Sequence, residues 1–237
     1  MTVKGLLIGA VFAVSLGGAA SAHATTVLYR NDGNIGTDYM AQALAASGYG
    51  VTTISGDLST FDLNDFDIVV YANQTFGMSG YDIDQINNYV SAGGHTIIHD
   101  FGGFGGFDLL QVDPGISNPE SVTVGPMFGA GVVSPLAVVN PGWGGFSMGM
   151  IANAQGVVAA TFENGEAAIV TSLYGQMIFN SFLTDTVASP QLYLNELHSF
   201  TQVAQTPIPA ALPLFATALA GFGFMARRRK QLDADAA

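Results

Sequence analysis

Seven polar residues stand where strand ends would gather them: Asn31, Asp32 and Asn34, then Asn73 and Gln74, then His99 and Asp100. Each group follows a short apolar run, "TTVLYR", "DIVVYA" and "HTIIHD". Carboxylates beside amides and an imidazole can move protons or orient a polar ligand. His99 and Asp100 are adjacent, so on a regular strand they point to opposite faces and do not form a base with its orienting group. "DGNIGTD" offers Asp32, Asn34 and Asp38 as hard oxygen donors, and "DLNDFD" offers more. Such sets suit Ca²⁺, although neither matches the EF-hand pattern with its glycine in sixth place. On an exported domain this acidic such runs read first as solvated surface and helix-start residues, so no cofactor is expected, and Ca²⁺ is the one these residues would admit. His95 and His198 have no second histidine at ligand spacing and read as structural.

Cysteine is absent, which excludes disulfides, a thiol nucleophile and thiolate metal ligands. Between residues 25 and 206 Arg30 is the one Lys or Arg, against sixteen Asp and Glu, a formal charge of −15. A body this acidic repels nucleic acid and anionic lipid. Cations and neutral polar polymers such as polysaccharides remain as partners.

The elements that must position these residues alternate. "TTVLYR" reads as a strand and "DYMAQALAASG" as a helix capped by Thr37 or Asp38 and stopped by Gly48. "YGVTTIS" is a second strand, and the unbroken Ile68–Ala72 run is a third, covered on both faces. "SGYDIDQINNYVSAGG" predicts a helix burying Tyr81 or Ile83 with Ile86 and Val90, ahead of a fourth strand at 95–100. Residues 101–150, with "FGGFGGF" and "NPGWGGFSMG", read as an insertion of loops and short strands. Its Phe104, Phe107, Trp143 and Phe146 fit either a sugar-stacking lid or aromatic plugs that complete the core. "GVVAATFENGEAAIVTSL" predicts a hairpin around Asn164-Gly165, a pair that favours a type I′ turn. "GQMIFNSF" supplies one more buried strand, and "PQLYLNELHSFTQVA" a closing helix with Leu192, Leu194 and Leu197 toward the sheet. Strands joined by helical crossovers imply an α/β fold with a flavodoxin-like open parallel sheet over residues 25–205.

The order of these segments resembles the class I glutamine amidotransferase-like superfamily in its trehalose-utilisation (ThuA-like) branch. The likeness covers about 25–100 and 155–203 and skips the insertion. It implies a Cys nucleophile in the turn after the fourth strand and a His with an acid after a late strand. Here that turn carries Asp100, and the late strand ends "FNSFLTD" without His. The family's triad is missing, so that chemistry is expected to be absent.

Both ends carry addresses. "MTVKGLLIGAVFAVSLGGAASAHA" reads as a signal peptide over 1–24, with Ala22 and Ala24 framing the cleavage site, to be handled by the Sec translocon and signal peptidase. From Ile208 to Ala226 no residue is charged, a length that spans the inner membrane as a helix. Arg227, Arg228, Arg229 and Lys230 follow and hold the short 231–237 tail in the cytoplasm, with the body outside. Thr206, Pro207, Ile208, Pro209 and Ala210, ahead of that helix and basic cluster, resemble the PEP-CTERM sorting signal in its VPLPA variant. The resemblance implies an exosortase that processes residues 206–230 and delivers the protein to the surface or exopolysaccharide matrix. The expected function is a non-catalytic exported protein. Its alternatives are a carbohydrate-active hydrolase using rim carboxylates such as Asp32 and Asp100, and a tail-anchored periplasmic binding module.

Overall fold

The computed structural model describes residues 24–33, 36–72, 78–100, 106–110, 113–114, 119–139, 148–149 and 156–202. A parallel half is built from β1 (Thr26–Asn31), β2 (Gly50–Ile54), β3 (Ile68–Ala72), β4 (His95–His99) and β11 (Met177–Asn180). These lie side by side in the order β2-β1-β3-β4-β11. Apolar residues fill both faces of the inner strands, and all five residues of β3 are buried. Outward from β1 the chain goes to β2 through a helix, then returns across β1 to start β3. The order therefore reverses between β1 and β3, which opens a crevice at their carboxyl ends.

The sheet is not parallel throughout. Beyond β11 it continues antiparallel through β10 (Ala167–Ser172), β9 (Gly156–Phe162), β6 (Ser121–Val124) and β7 (Leu136–Ala137). Two further short strands, β5 (Asp113–Pro114) and β8 (Met148–Gly149), pair with each other, and β8 also meets β10. For β9, β10 and β11 the reason is connection length. A strand reached by a tight turn must run antiparallel, whereas a parallel neighbour needs a crossover of a dozen or more residues.

The β9–β10 hairpin turns where expected, but not as a type I′ turn. That turn needs positive φ at both central residues, and among the described residues only glycines have it, here Gly165 at +86°. The Gly165 amide closes onto the Phe162 carbonyl, and a bulge follows in β10 near Ala168.

Among the described residues, three α-helices cover the faces. The α1 helix (Tyr39–Ser47) is capped by Asp38, whose side chain accepts from the Ala41 amide, and Gly48 ends it in the left-handed region. The α2 helix (Gly80–Ser91) is capped by Ser79. The α3 helix (Pro190–Gln202) starts on proline, whose missing N–H costs nothing at a first turn. The α1 and α3 helices share one core with Tyr29, Val70, Ile97 and Ile178. The α2 helix shares the other with Leu28, Val69, Ile98 and Phe179. Its buried face is Asp82, Ile86, Tyr89 and Val90, while Tyr81 is 53% exposed. Phe107 is buried edge-on to Phe179, so it plugs the core; Phe104, Trp143 and Phe146 lie outside the described residues.

Residues 1–23 of the signal peptide and the 206–230 tail also lie outside the described residues. Among those described, no helix is long and apolar enough to cross a membrane.

Candidate functional site

Two polar centres form where the parallel strands end, one on each face. The first is on the α3 face and is closed. His99 at the end of β4, Asn180 at the end of β11 and Glu196 on α3 are each 0% exposed. The Phe182 carbonyl can only accept, so His99 Nδ1, 3.2 Å away, carries the ring proton and donates to it. Nε2 is then an acceptor, facing the Asn180 amide at 3.3 Å. The same amide donates to Glu196 Oε2 at 3.1 Å. Burial pushes the His99 pKa down to about 3 and the Glu196 pKa up to about 8, so both groups are neutral at pH 7. Tyr193 packs edge-on against the imidazole and donates to the Val187 carbonyl. These groups are hydrogen-bonded to each other and sealed beneath α3, which suits holding the helix on the sheet better than meeting a substrate.

The second centre is open and lies at the switch point on the α2 face. Arg30, near the end of β1, has its guanidinium carbon 4.3 Å from the centre of the Tyr71 ring. Its Nε donates to the Gly56 carbonyl at 2.8 Å and its Nη1 to the Ala72 carbonyl at 3.2 Å. Nη1 also pairs with Asp32 at 3.2 Å. Tyr71 donates to Asp82 Oδ2 at 2.8 Å, and the Leu58 amide to Asp82 Oδ1 at 2.9 Å. Burial foremost, partly offset by Arg30, raises the Tyr71 pKa, so its phenol stays a donor. Arg30, Asp57, Tyr71, Ser79, Tyr81 and Asp82 line a cavity of about 470 Å³. A larger crevice of about 600 Å³ lies at the opposite pole, near Thr25, His95 and Thr201. Open α/β sheets bind ligands at the carboxyl ends of their strands, which favours the smaller one.

The expected rim residues divide between these places. Asn31 donates to Asp38 Oδ2 at 2.7 Å and to the Tyr29 hydroxyl at 3.1 Å, toward α1, while Asp32 turns to Arg30. His99 is sealed under α3, and Asp100 is 1% exposed. Asn34, Asn73 and Gln74 lie outside the described residues. Of the Ca²⁺ candidates, Asp32 faces a guanidinium. Both oxygens of Asp38 take hydrogen bonds, from the Ala41 amide and from Tyr29 and Asn31. No group of three His, Asp or Glu suited to a metal occurs among the described residues. His95 stacks on Phe200 and His198 meets Tyr49 edge-on, as structural histidines do.

Glu196, Asn180, Asp57 and Asp82 belong to these two centres, and the sequence patterns do not single them out. Two of them had a signal. Glu196 falls at helical spacing among Leu192, Tyr193, Leu197 and Phe200, and Asp82 falls four residues before Ile86, so each carboxylate sits on an apolar stripe.

The chain is similar in fold to a GMP synthase subunit protein of Thermoplasma acidophilum, with a TM-score of 0.55 at 12% identity, over 77% of this chain and 97% of that one. A ThuA-like protein of Parabacteroides merdae superposes with a TM-score of 0.51 at 14% identity, over 74% and 88%. PurLQS of Thermotoga maritima gives 0.50 at 12% identity, over 75% and 99%. Likeness at these identities establishes a mixed α/β open sheet of the glutamine amidotransferase-like and ThuA-like kind, and the fold alone. The sequence matches no protein-family model and no curated protein.

Proposed function

We propose that this chain is an exported protein whose α/β domain works without catalysis at the cell surface or in the exopolysaccharide matrix, delivered there by an exosortase. On this reading the Sec translocon exports it and signal peptidase cuts after Ala24. The apolar 208–226 segment holds it in the inner membrane with the body outside, until the Thr206–Ala210 motif is processed.

The observation that carries the non-catalytic part is the state of the position after β4. The amidotransferase resemblance expects an exposed nucleophile there. This chain has Asp100, 1% exposed, and the neighbouring His99 accepts from Asn180 and donates to Phe182 rather than serving a nucleophile. The late strand that would bring the family's histidine ends instead on fully buried Asn180. Nucleophile and base are thus replaced by a sealed polar contact between sheet and helix.

The test is intact mass and fractionation of the protein from its native host, with and without Pro207→Ala/Pro209→Ala. The expected mature form starts near Thr25, lacks the basic tail and leaves the inner membrane only with both prolines intact. An uncut tail in the inner membrane regardless of those prolines would overturn the sorting. Hydrolysis of a glycan panel, abolished by Asp100→Asn, would overturn the lack of catalysis.

A further inference from the structure

We infer that the cavity between the carboxyl ends of β1 and β3 and the start of α2 binds a neutral, polyhydroxylated ligand, a sugar unit of a polysaccharide. The inference deepens the matrix reading above by naming a site and a ligand class, and it rests on that reading only for the source of the sugar.

Selection by charge comes first. Arg30 contributes one positive charge, and Asp32, Asp57 and Asp82 contribute three negative ones around it. That balance repels phosphates, sulfates and carboxylates. A metal cation finds no group of three His, Asp or Glu to hold it among the described residues, and an organic cation would have to sit against Arg30, which is fixed in place by Gly56, Ala72, Asp32 and the Tyr71 ring and cannot swing away. What remains is a ligand without net charge that both donates and accepts hydrogen bonds.

The unused valences match hydroxyl groups. Arg30 is only 7% exposed, and its Nη2 has no partner among the described residues although the residue lines the cavity. Two N–H donors are thus unspent on a residue that lines the cavity and is already desolvated. Asp82 takes one hydrogen bond on each carboxylate oxygen, which leaves lone pairs for ligand hydroxyls. Asp57 Oδ1 accepts from the Ser59 amide and hydroxyl, bonds that also hold its carboxyl below the usual range, and its Oδ2 is left for a ligand. Guanidinium and carboxylate together grip vicinal hydroxyls from two sides. The Tyr81 ring at the rim is 53% exposed, and an exposed aromatic face is what the C–H face of a pyranose stacks on. The volume, about 470 Å³, lies within the range of small-molecule sites. Open to solvent at the end of the sheet, the cavity also admits a unit that belongs to a longer chain.

The test is affinity gel electrophoresis of the full chain held in zwitterionic, sugar-free detergent. Gels carry dextran, mannan, galactomannan or arabinogalactan as neutral polymers, alginate as the anionic one and chitosan as the cationic one. At least one neutral polymer is expected to retard the protein more than alginate or chitosan. Tyr81→Ala and Asp57→Ala each change an exposed side chain and are expected to keep the unfolding midpoint. Tyr81→Ala should weaken binding about fivefold, Asp57→Ala should weaken it measurably, and Tyr174→Ala, a still more exposed tyrosine outside this cavity, should not. Failure of every neutral polymer to bind, preference for alginate or chitosan, or binding indifferent to both cavity variants would overturn the inference. The fractionation experiment is read separately. A correctly sorted protein that ignores neutral glycans sinks the site and leaves the sorting, and a glycan-binding protein with an uncut tail does the reverse.

Discussion

The side-chain amide of Asn180 donates to Glu196 Oε2 at 3.1 Å, joining the end of β11 to the buried face of α3. Its second hydrogen reaches toward His99 Nε2 at 3.3 Å, so one amide serves two titratable groups that burial shifts in opposite senses. Neither group is charged in the folded protein at neutral pH, which removes the large cost of a buried ion and replaces it with a pH dependence.

That dependence has two limbs. Glu196 keeps its proton in the fold up to about 8, whereas the unfolded chain gives it up near 4.5, so its contribution is full below 4.5 and fades as pH rises to 8. His99 behaves oppositely: unfolded it takes a proton near 6.5, folded only near 3, so its contribution is full above 6.5 and fades as pH falls to 3. Half-buried His95, its pKa also lowered by burial, adds to the acid limb. The melting temperature should form a plateau between these limbs and fall above pH 6.5. In Glu196→Gln the alkaline fall should flatten. Scanning calorimetry of both proteins from pH 4 to pH 9 checks this, and equal alkaline slopes would rule it out.

Asp38 serves as helix cap and tertiary hub at once. Its Oδ1 accepts from the Ala41 amide at 2.9 Å, and its Oδ2 from Tyr29 and Asn31, both at 2.7 Å. Asp38→Ala strands three donors, at a cost of about 2–4 kcal/mol. Asp38→Asn keeps the cap but sets an amide against two donors, and should cost about half as much. Urea denaturation ranks the three proteins.

Arg30→Met retains much of the side-chain length and loses the charge. The Gly56 and Ala72 carbonyls then lack their donor, and Asp32, whose side chain is 13% exposed, loses this ion pair. A loss of about 3 kcal/mol is expected, because a mostly buried pair is costly to break by halves. A midpoint shift within error would show that the guanidinium contributes nothing net.

Two glycines near α2 separate close packing from chain entropy. A Cβ on Gly94 would fall inside the Tyr89 ring, and Tyr89 is held by its hydrogen bond to the Phe66 carbonyl at 3.0 Å. Gly94→Ala should therefore destabilise by about 1–3 kcal/mol. Gly80 has open space around a Cβ and no positive φ, so Gly80→Ala should gain about 0.5 kcal/mol. Thermal melts of the pair are expected to move in opposite directions.

The local rules of the chain reach a long way into this fold. The apolar run at Ile68–Ala72 dictates a strand covered on both sides, Asp38 and Gly48 bracket α1, and Pro190 opens α3. Each is decided by neighbours within a few residues, through steric limits, orphan amides or burial, so the sequence alone determines it. The acidic body with its single arginine is likewise legible without coordinates. Which polar groups share a space is another matter, because a strand sends consecutive side chains to opposite faces and a crossover reorders strands. Asn31 and Asp32 part for that reason. Arg30 and Asp82, 52 positions apart, line one cavity only because β3 lies beside β1 and α2 packs over them. Glu196 sits on an apolar stripe that sequence can flag, but only the docking of α3 onto β4 and β11 brings it to Asn180 and His99 and withdraws all three from water, which sets their protonation.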